Sequence, residues 1–380
     1  TGRVIASKRG ELSVLASQWT MAAKALRPLP VLHKELSEET RVRRRYADLV
    51  LRPEAQTMVR TRSMTMRTIR QVLEAEEFLE VETPVLQLIH GGAAARPFRT
   101  HLNAFDTDMT LRIALELYLK RVMAGGAERV YEIGRIFRNE GIDSSHSAEF
   151  SMLEFYAAWE DKQSVARLTE RLIQATADAT LGRRQVVVDG QEIDLDGQWR
   201  WVQFYDLLSE EFGQPLTPDT PLDQWQGLAE GRQVEYNPSW SAGKVALELY
   251  GKLIERHLIQ PTFVDGFPAL AQPLARPDAS GLLVEAWDLI IGGVERGTGF
   301  SELIDPVIQR QVLTAQSLQA AAGDPEAMEL DEDFLQALEF GVPPMGGVGL
   351  GIDRLLMLLT GAGIRETILF PLLRPAGLAH

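Results

Sequence analysis

Alternation of apolar and polar residues predicts strands over much of the chain. The strand-like runs are Leu79 to Leu86, which carries Pro84, Met109 to Ile113, Arg129 to Phe137, Glu149 to Trp159, Thr262 to Val264 and the stretch from Leu282 to Leu303. Gln185 to Leu195 is typical of a hairpin, because Asp189-Gly190 is a favoured two-residue turn between two apolar runs.

Helical periodicity extends over four longer segments. These are Pro53 to Phe78, with an apolar stripe at Met58, Met64, Ile69, Val72 and Leu73, then Asp161 to Ala179, Leu330 to Phe340 and Arg354 to Thr360. Residues 200 to 260 alternate short helices and loops, so we interpret about 180–258 as an insertion. Because strands and helices do not alternate regularly, we expect an α+β domain with a mixed, largely antiparallel sheet flanked by helices.

The first 30 residues predict a separate piece of structure. Strand-like pieces lie on both sides of a turn at Lys8-Arg9-Gly10, and a third covers Trp19 to Ala25. Three strands cannot close a domain alone. We therefore interpret residues 1–30 as the end of a small β-barrel, joined by a linker at Pro28-Leu29-Pro30 to a second domain over residues 31–380.

Composition narrows the class of protein. The 380 residues are 45% hydrophobic and 24% charged, which is typical of globular proteins. No run approaches the roughly 20 apolar residues of a membrane span, and the N-terminus has no apolar signal core. The absence of cysteine excludes disulfides and thiolate metal sites. We expect a cytoplasmic enzyme without membrane contact.

The net charge of −14 neither supports nor forbids a nucleic-acid partner, because phosphate contacts depend on local patches. Arg41, Arg43, Arg44 and Arg45 form one such patch, which a solvated segment or a structural ion-pair cluster explains equally well.

Two strands joined by a polar loop carry the densest candidate chemistry. Arg138 and Glu140 share one strand face, and so do four residues of the next strand, Phe150, Met152, Glu154 and Tyr156. An arginine beside carboxylates suits a polyanion bound next to a cation. A half-solvated antiparallel sheet with cross-strand ion pairs remains the alternative at this point.

Three motifs in order resemble those of class II aminoacyl-tRNA synthetases. Leu79-Glu-Val-Glu-Thr-Pro84 is similar to motif 1, Phe137-Arg-Asn-Glu140 followed by His146 and Glu149-Phe150 to motif 2, and Gly349-Leu-Gly-Ile-Asp-Arg354 to motif 3. Gly91 to Phe98, Glu116 to Lys120 and Phe300 to Pro306 resemble the lysyl-tRNA synthetases. Gly297 to Glu302 and Gly323 to Met328 resemble the actinobacterial branch, which includes the synthetase part of bifunctional lysylphosphatidylglycerol proteins.

The resemblance implies a class II catalytic domain preceded by the end of an anticodon-binding OB fold. It implies a homodimer that activates L-lysine with ATP and Mg²⁺ and transfers it to tRNA(Lys). The implied ATP-binding residues are Arg138, Glu140, His146, Phe150 and Arg354, with Arg138 and Arg354 catalytic. The implied lysine-binding residues are Gly92, Glu116, Glu154, Tyr156, Thr298, Phe300 and Glu302, and the implied metal-binding residues are Asp288 and Glu295.

Three positions depart from the common family pattern. Thr298 replaces an asparagine, Asp288 a glutamate and Leu115 a proline, which puts a substrate contact and the metal spacing in question. Rival hypotheses are a paralogue that passes lysine to another acceptor or supplies lysyl-tRNA for lipid lysylation, and a non-catalytic regulatory relative.

Overall fold

The computed structural model describes residues 1–28, 36–143, 145–321 and 327–374. Its strands are β1 (Gly2–Ala6), β2 (Leu12–Ala16), β3 (Leu79–Glu80), β4 (Leu86–Gln87), β5 (Arg99–Leu102), β6 (Thr107–Leu111), β7 (Arg129–Phe137), β8 (Glu149–Ala158), β9 (Gln185–Val188), β10 (Gln191–Asp194), β11 (Arg200–Gln203), β12 (Thr262–Asp265), β13 (Ala286–Ile291), β14 (Val294–Ser301) and β15 (Met345–Gly351).

The helices are α1 (Glu38–Arg43), α2 (Arg45–Leu51), α3 (Pro53–Ala75), α4 (Glu116–Ala124), α5 (Lys162–Leu181), α6 (Phe204–Phe212), α7 (Leu222–Gly231), α8 (Ala242–Leu253), α9 (Pro306–Ala321), α10 (Glu332–Glu339), α11 (Ile352–Thr360) and α12 (Ile364–Thr367). No helix in the described ranges is long and apolar enough to cross a bilayer. The chain divides into two compact units at residue 53.

The first unit contains an antiparallel hairpin, β1–β2, and the short helices α1 and α2. The hairpin turns at residues 8–10, as predicted. The third predicted strand, Trp19 to Ala25, is wrong: these residues form no strand, and Trp19 is 79% exposed. Apart from Pro28, the predicted linker lies in residues 29–35, outside the described residues, and so does the predicted domain boundary at residue 30. Both stay predictions.

An eight-stranded sheet organises the second unit, in the order β11-β12-β13-β14-β15-β8-β7-β3. The two end pairs, β11–β12 and β3–β7, are parallel, and the five pairs between them are antiparallel. This confirms the expected mixed, largely antiparallel sheet. The predicted hairpin is β9–β10.

The sheet buries one face against helices. In β8 the odd-numbered Leu153 and Phe155 belong to the main hydrophobic core, as do Val348 and Leu350 of β15. Helices α5 and α11 supply eleven of the 28 buried side chains of this core. Because successive side chains of a strand point to opposite faces, the even-numbered residues of β8 are left for the other face.

Two sequence predictions differ from the structure near the N-terminal edge of this unit. Leu79 to Leu86 is not one strand, because Pro84 has no N–H and Thr83 donates its N–H to the Glu132 carboxylate (3.0 Å) instead of a neighbouring strand. The stripe of α3 is only partly correct: Ile69 and Leu73 are buried, whereas Met64 is 37% exposed.

Helices α6, α7 and α8 occupy the predicted insertion and build a second hydrophobic cluster. Its members include Phe204, Trp225 and Leu249, together with Ile290 of strand β13. Three elements next to the cavity described below, helices α4 and α9 and the glycine-rich strand β15, were not predicted from the sequence.

Candidate active site

A cavity of about 420 Å³ opens on the sheet face opposite the main core. Thirteen of the fourteen predicted site residues line it, namely Gly92, Glu116, Arg138, Glu140, His146, Phe150, Glu154, Tyr156, Glu295, Thr298, Phe300, Glu302 and Arg354. Asp288 does not line it. Residues of motif 2 and of motif 3, which are far apart in the sequence, thus line the same cavity.

Strand alternation positions the cavity wall. Phe150, Met152, Glu154 and Tyr156 of β8 all line it, as their shared strand face requires. The adjacent strand β15 contributes Gly347, Gly349 and Gly351 at the facing positions. A Cβ at Gly347 would collide with Glu302 Oε1 and the ring of Tyr156. The glycines of this strand therefore leave room for the acidic side chains and for a ligand.

Three carboxylates and one ammonium are buried together in the cavity wall. Glu116, Glu154 and Glu302 are each 5% exposed or less, and Lys120 is completely buried. Lys120 Nζ lies 2.6 Å from Glu116 Oε1 and 2.6 Å from Glu302 Oε2, and it donates to the Leu274 carbonyl at 3.3 Å. Lys120 was assigned no role from the sequence.

The oxygen atoms of Glu154 and Glu302 differ in their partners. Glu154 Oε1 accepts the Leu115 N–H (2.8 Å) and Oε2 accepts the Tyr156 hydroxyl (3.1 Å), so both are satisfied. Both oxygens of Glu302 are buried without a well-aligned hydrogen bond among the described residues. Oε2 has the ammonium of Lys120 at 2.6 Å as an ion-pair partner, whereas Oε1 lies beside Gly347 at the cavity without such a partner. A buried acceptor of this kind calls for a donor from a ligand.

Burial makes these acids hold their protons more tightly. Burial, and then the charge of Glu116, raises the pKa of Glu154 to about 7. Burial also raises the pKa of Glu116 and of Glu302, against the opposing effect of Lys120. The cluster therefore contains three carboxyl groups and only one ammonium group, so that binding of a further cation would be strongly favoured.

Arg138 provides positive charge at the other side of the acids. It follows β7 in the loop toward β8, where its Nε donates to the Ile113 carbonyl at 3.3 Å. Its guanidinium lies over the Phe150 ring, 5.4 Å from the ring centroid. Burial lowers the pKa of Arg138, an effect that Glu140 opposes first. A desolvated guanidinium is a strong site for an anion.

A second cationic group stands at the start of α11. Arg354 Nη1 donates to the Glu295 carbonyl at 3.1 Å, and its Nη2 lies 3.4 Å from His146 Nε2. The other ring nitrogen of His146 lies 2.9 Å from Asp143 Oδ2. These contacts hold an arginine and an imidazole side by side at the cavity, as the ends of a long polyanion would need.

The preceding residue fixes the position of Arg354. Asp353 is buried, pairs with Arg62 at 2.5 Å and accepts the Ser151 N–H at 2.8 Å. Neither Arg62 nor Asp143 was singled out from the sequence, because their partners are recognisable only in the folded chain.

The two predicted metal-binding acids lie on neighbouring strands. Asp288 of β13 is paired in register with Thr298 of β14, and Glu295 lies across the register shift between Leu289 and Ile290. Burial, and then Glu295, raises the pKa of Asp288 well above its ordinary value. The hydroxyl of Tyr250 is buried without a hydrogen-bond partner in the described structure, and burial raises its pKa first, followed by the charges of Asp288, Glu255 and Glu295.

Asp288, whose pKa is raised, and Glu295 on the neighbouring strand are carboxylates that suit a hard divalent cation, whose remaining ligands would be water or ligand oxygens. No group of three histidine, aspartate or glutamate side chains in the described ranges is arranged to hold a metal by itself. Thr298 Oγ1 lies 3.2 Å from the Trp287 carbonyl, which directs this hydroxyl toward the neighbouring strand.

Lys120 could have been found from helical spacing. Glu116 and Lys120 are four residues apart, so a helix places them on one face, where they form a pair. Their neighbours Leu117, Leu119 and Met123 are apolar and buried, which marks this segment as a helix whose two charges are also inside the protein.

Comparison with known proteins gives consistent similarities. Residues 37–374 match the family described as tRNA synthetases class II (D, K and N). A lysine–tRNA ligase of Kineococcus radiotolerans is 55% identical over 98% of this chain and 75% of its own length, and one of Mycolicibacterium gilvum is 54% identical over the same shares. The lysylphosphatidylglycerol biosynthesis bifunctional protein LysX of Mycobacterium avium is 49% identical over 99% of this chain but 32% of its own length.

The buried acids predict a loss of stability with rising pH in the protein without ligands. The pKa of Glu154 is 4.5 ordinarily and about 7 in the fold. Its stabilising contribution is therefore fully present below about pH 4.5 and is lost as the pH rises through about 7. Glu116 and Glu302 shift in the same direction. The melting temperature, measured at constant ionic strength, should fall between about pH 5 and about pH 8.

Glu154→Gln should flatten this pH dependence, since the amide does not ionise. Glu192→Gln, which changes an exposed residue of the β9–β10 hairpin, should retain the full dependence. A melting temperature that stays constant or rises over this range in the unsubstituted protein would show that the cluster is not held protonated.

Proposed function

Because this chain belongs to the class II tRNA synthetases (D, K and N), and within them to the lysine–tRNA ligases, we infer that its cavity joins L-lysine to ATP and passes the product to tRNA(Lys). The observation that carries the assignment of residues is Glu302 Oε1, a buried acceptor without a donor at the cavity wall. A substrate ammonium is the missing donor.

Lysine fits between the acids and Arg138. Its ε-ammonium would lie against Glu302 and the Tyr156 hydroxyl, whose orientation Glu154 fixes. Its α-ammonium would lie near Glu116 and Gly92, whose side-chain and backbone atoms are adjacent. A neutral side chain would leave the buried carboxylates unpaired, and this penalty provides the selectivity for lysine.

ATP would occupy the half of the cavity formed by the loop between β7 and β8 and the start of α11. Its adenine would stack on Phe150 with Glu140 accepting from the exocyclic amine, and its outer phosphates would contact His146 and Arg354. Arg138 would hold the lysine carboxylate and the α-phosphate together, where negative charge accumulates in the transition state.

The reaction requires that the protein align the two substrates and stabilise the negative charge of the transition state. A carboxylate oxygen of lysine attacks the α-phosphorus, the bond to the β-phosphate oxygen breaks, and pyrophosphate leaves. A ribose hydroxyl of the tRNA next attacks the carbonyl carbon of the lysyl-adenylate, and AMP leaves. No side chain of the protein forms a covalent bond, so the rate depends on alignment and on the two arginines.

Mg²⁺ is the metal that we assign to Asp288 and Glu295. When bound, it would neutralise phosphate charge. Burial, and then the charge of Glu295, raises the pKa of Asp288, and a bound cation would oppose both effects. Asp288 is shorter than glutamate and lies outside the cavity lining. We therefore assign the direct contact to Glu295 and a contact through water to Asp288.

The fate of the product has two candidates. Supply of lysyl-tRNA to translation is the first, and the similarity to lysine–tRNA ligases over 98% of this chain supports it. Supply for lipid lysylation is the second, because the bifunctional relative matches this chain over 99% of its length. We retain residues 1–30 as the end of an anticodon-binding barrel. The intact set of Arg138, His146 and Arg354 disfavours a non-catalytic relative.

Activation is tested by ATP–pyrophosphate exchange. The exchange should depend on L-lysine and on Mg²⁺, and Arg138→Ala should abolish it by removing the charge between the carboxylate and the α-phosphate. Arg135→Ala is the matched control, because Arg135 lies three residues earlier on β7, is exposed and pairs with Glu149 outside the cavity. Faster exchange with another amino acid would refute the assignment of lysine.

Glu302→Gln should weaken lysine far more than ATP. Removing one partner from a buried pair costs about 3–5 kcal/mol, which corresponds to a rise of several hundredfold in the KM for lysine. The KM for ATP should change only a few-fold. Glu285→Gln, at a half-buried pair with Arg276 outside the cavity, should change neither. Equal losses for both substrates would mean that Glu302 maintains the shape of the site.

The edge of the sheet supports a homodimer. Strand β3 ends the eight-stranded sheet, and its Leu79 is 59% exposed. Leu86 and Leu88, in and just after β4 of the three-stranded sheet, are 44% and 67% exposed. Light scattering should give twice the chain mass of 42.3 kDa, and Leu79→Lys should shift the protein toward monomer. Leu282→Lys, an exposed leucine away from this edge, should not. A monomer at micromolar concentration in the unsubstituted protein would contradict the proposal.

A further inference from the structure

Lys120 is a buried cation that the reaction described above does not use. Its side chain has no exposed surface, and its Nζ contacts an acid from its own helix, Glu116, and the acid that follows β14, Glu302. The third contact, to the Leu274 carbonyl, comes from the segment before β13. One ammonium thus joins the two carboxylates assigned above to opposite ends of the substrate lysine.

We propose that Lys120 is a positioning and specificity-determining residue, which reduces the charge of the acidic cluster to match a substrate with two ammonium groups. The inference rests on the proposed function of the same cavity. It concerns the charge and the orientation of the buried acids, and it assigns Lys120 no contact with substrate.

The charges of the described cluster balance only when Lys120 is included. Glu116, Glu154 and Glu302 supply three negative charges when ionised, and Lys120 supplies one positive charge. Two negative charges remain for the α- and ε-ammonium groups of lysine, while Arg138 takes the substrate carboxylate. Without Lys120 a third acid would have no partner, and an uncompensated buried charge is strongly unfavourable.

Lys120 also orients Glu302. Its Nζ lies 2.6 Å from Oε2, which leaves Oε1 as the oxygen beside Gly347 and the Tyr156 ring at the cavity. Glu116 is held in the same way through Oε1, one helical turn from Lys120. Both acids are therefore pre-positioned before substrate arrives, which removes part of the cost of ordering them on binding.

The charged groups around Lys120 determine how its removal should change the pKa values of the neighbouring acids. Glu116 faces it from α4 and Glu302 from the end of β14, while Glu154 and Tyr156 of β8 and then Arg138 lie beyond these acids. Lys120 opposes the rise in the pKa of Glu116 and of Glu302. Its loss should raise both values further, so that lysine can bind only at a higher pH.

Lysine and ATP KM values, measured by pyrophosphate exchange from about pH 6 to about pH 9, test the proposal. For Lys120→Met we expect the lysine KM at pH 7 to rise by about a hundredfold, with the pH at which lysine affinity is gained displaced upward by about one unit or more. The ATP KM should stay within about threefold. Lys162→Met, which removes a largely buried lysine paired with Asp265 outside the cavity, should leave both values unchanged.

Lys120→Arg keeps the charge and moves the head group. It should retain the pH dependence of the unsubstituted protein while still raising the lysine KM, and it decides the question if Lys120→Met does not fold. A normal lysine KM in either variant, or an equal loss for lysine and ATP at every pH, would overturn the proposal. An absence of lysine-dependent exchange in the unsubstituted protein would refute the proposed function instead.

Discussion

Buried negative charge in excess of its internal counter-charge is the constraint on which this site depends. Three carboxylates with almost no exposed surface share one ammonium, that of Lys120. Such a cluster is costly in an empty protein, because each acid must hold a proton or remain unpaired. We propose that a ligand that brings ammonium groups removes this cost, so that selectivity for lysine follows from the need of the fold to pair its buried charges.

The sheet makes this arrangement possible by separating two environments on its two faces. Leu153 and Phe155 pack into the main core, while Glu154 and Tyr156 between and beside them line the cavity. On β15 glycines take the cavity positions, so that the strand contributes backbone and space. The same two strands thereby stabilise the domain through one face and line the cavity, the proposed site of the charged substrates, through the other.

The sequence predicted structure and site residues best where the signal, a periodic pattern or a motif, lies within one continuous segment. Strand β7 was predicted with its observed bounds, and thirteen of the fourteen residues implied by the family resemblance line one cavity. Strand β15 was missed, because its glycines have low strand propensity and are placed there by what lies across from them. Lys120 was assigned no role and Arg62 was not singled out, because their partners, Glu302 and Asp353, are distant in the sequence. The spacing of Glu116 and Lys120 was visible, but only burial shows why it matters.

Calorimetric titration of the substrate-free protein with L-lysine, repeated at pH 7 in buffers of different ionisation enthalpy, tests the central claim most directly. If the acids hold protons until a substrate ammonium replaces them, lysine binding must release protons, and the observed enthalpy will depend on the buffer. Substantial proton release is the predicted result. An enthalpy independent of the buffer, together with comparable affinity for norleucine, which keeps the α-ammonium but has an uncharged side chain, would contradict the claim that unbalanced buried acid selects the substrate.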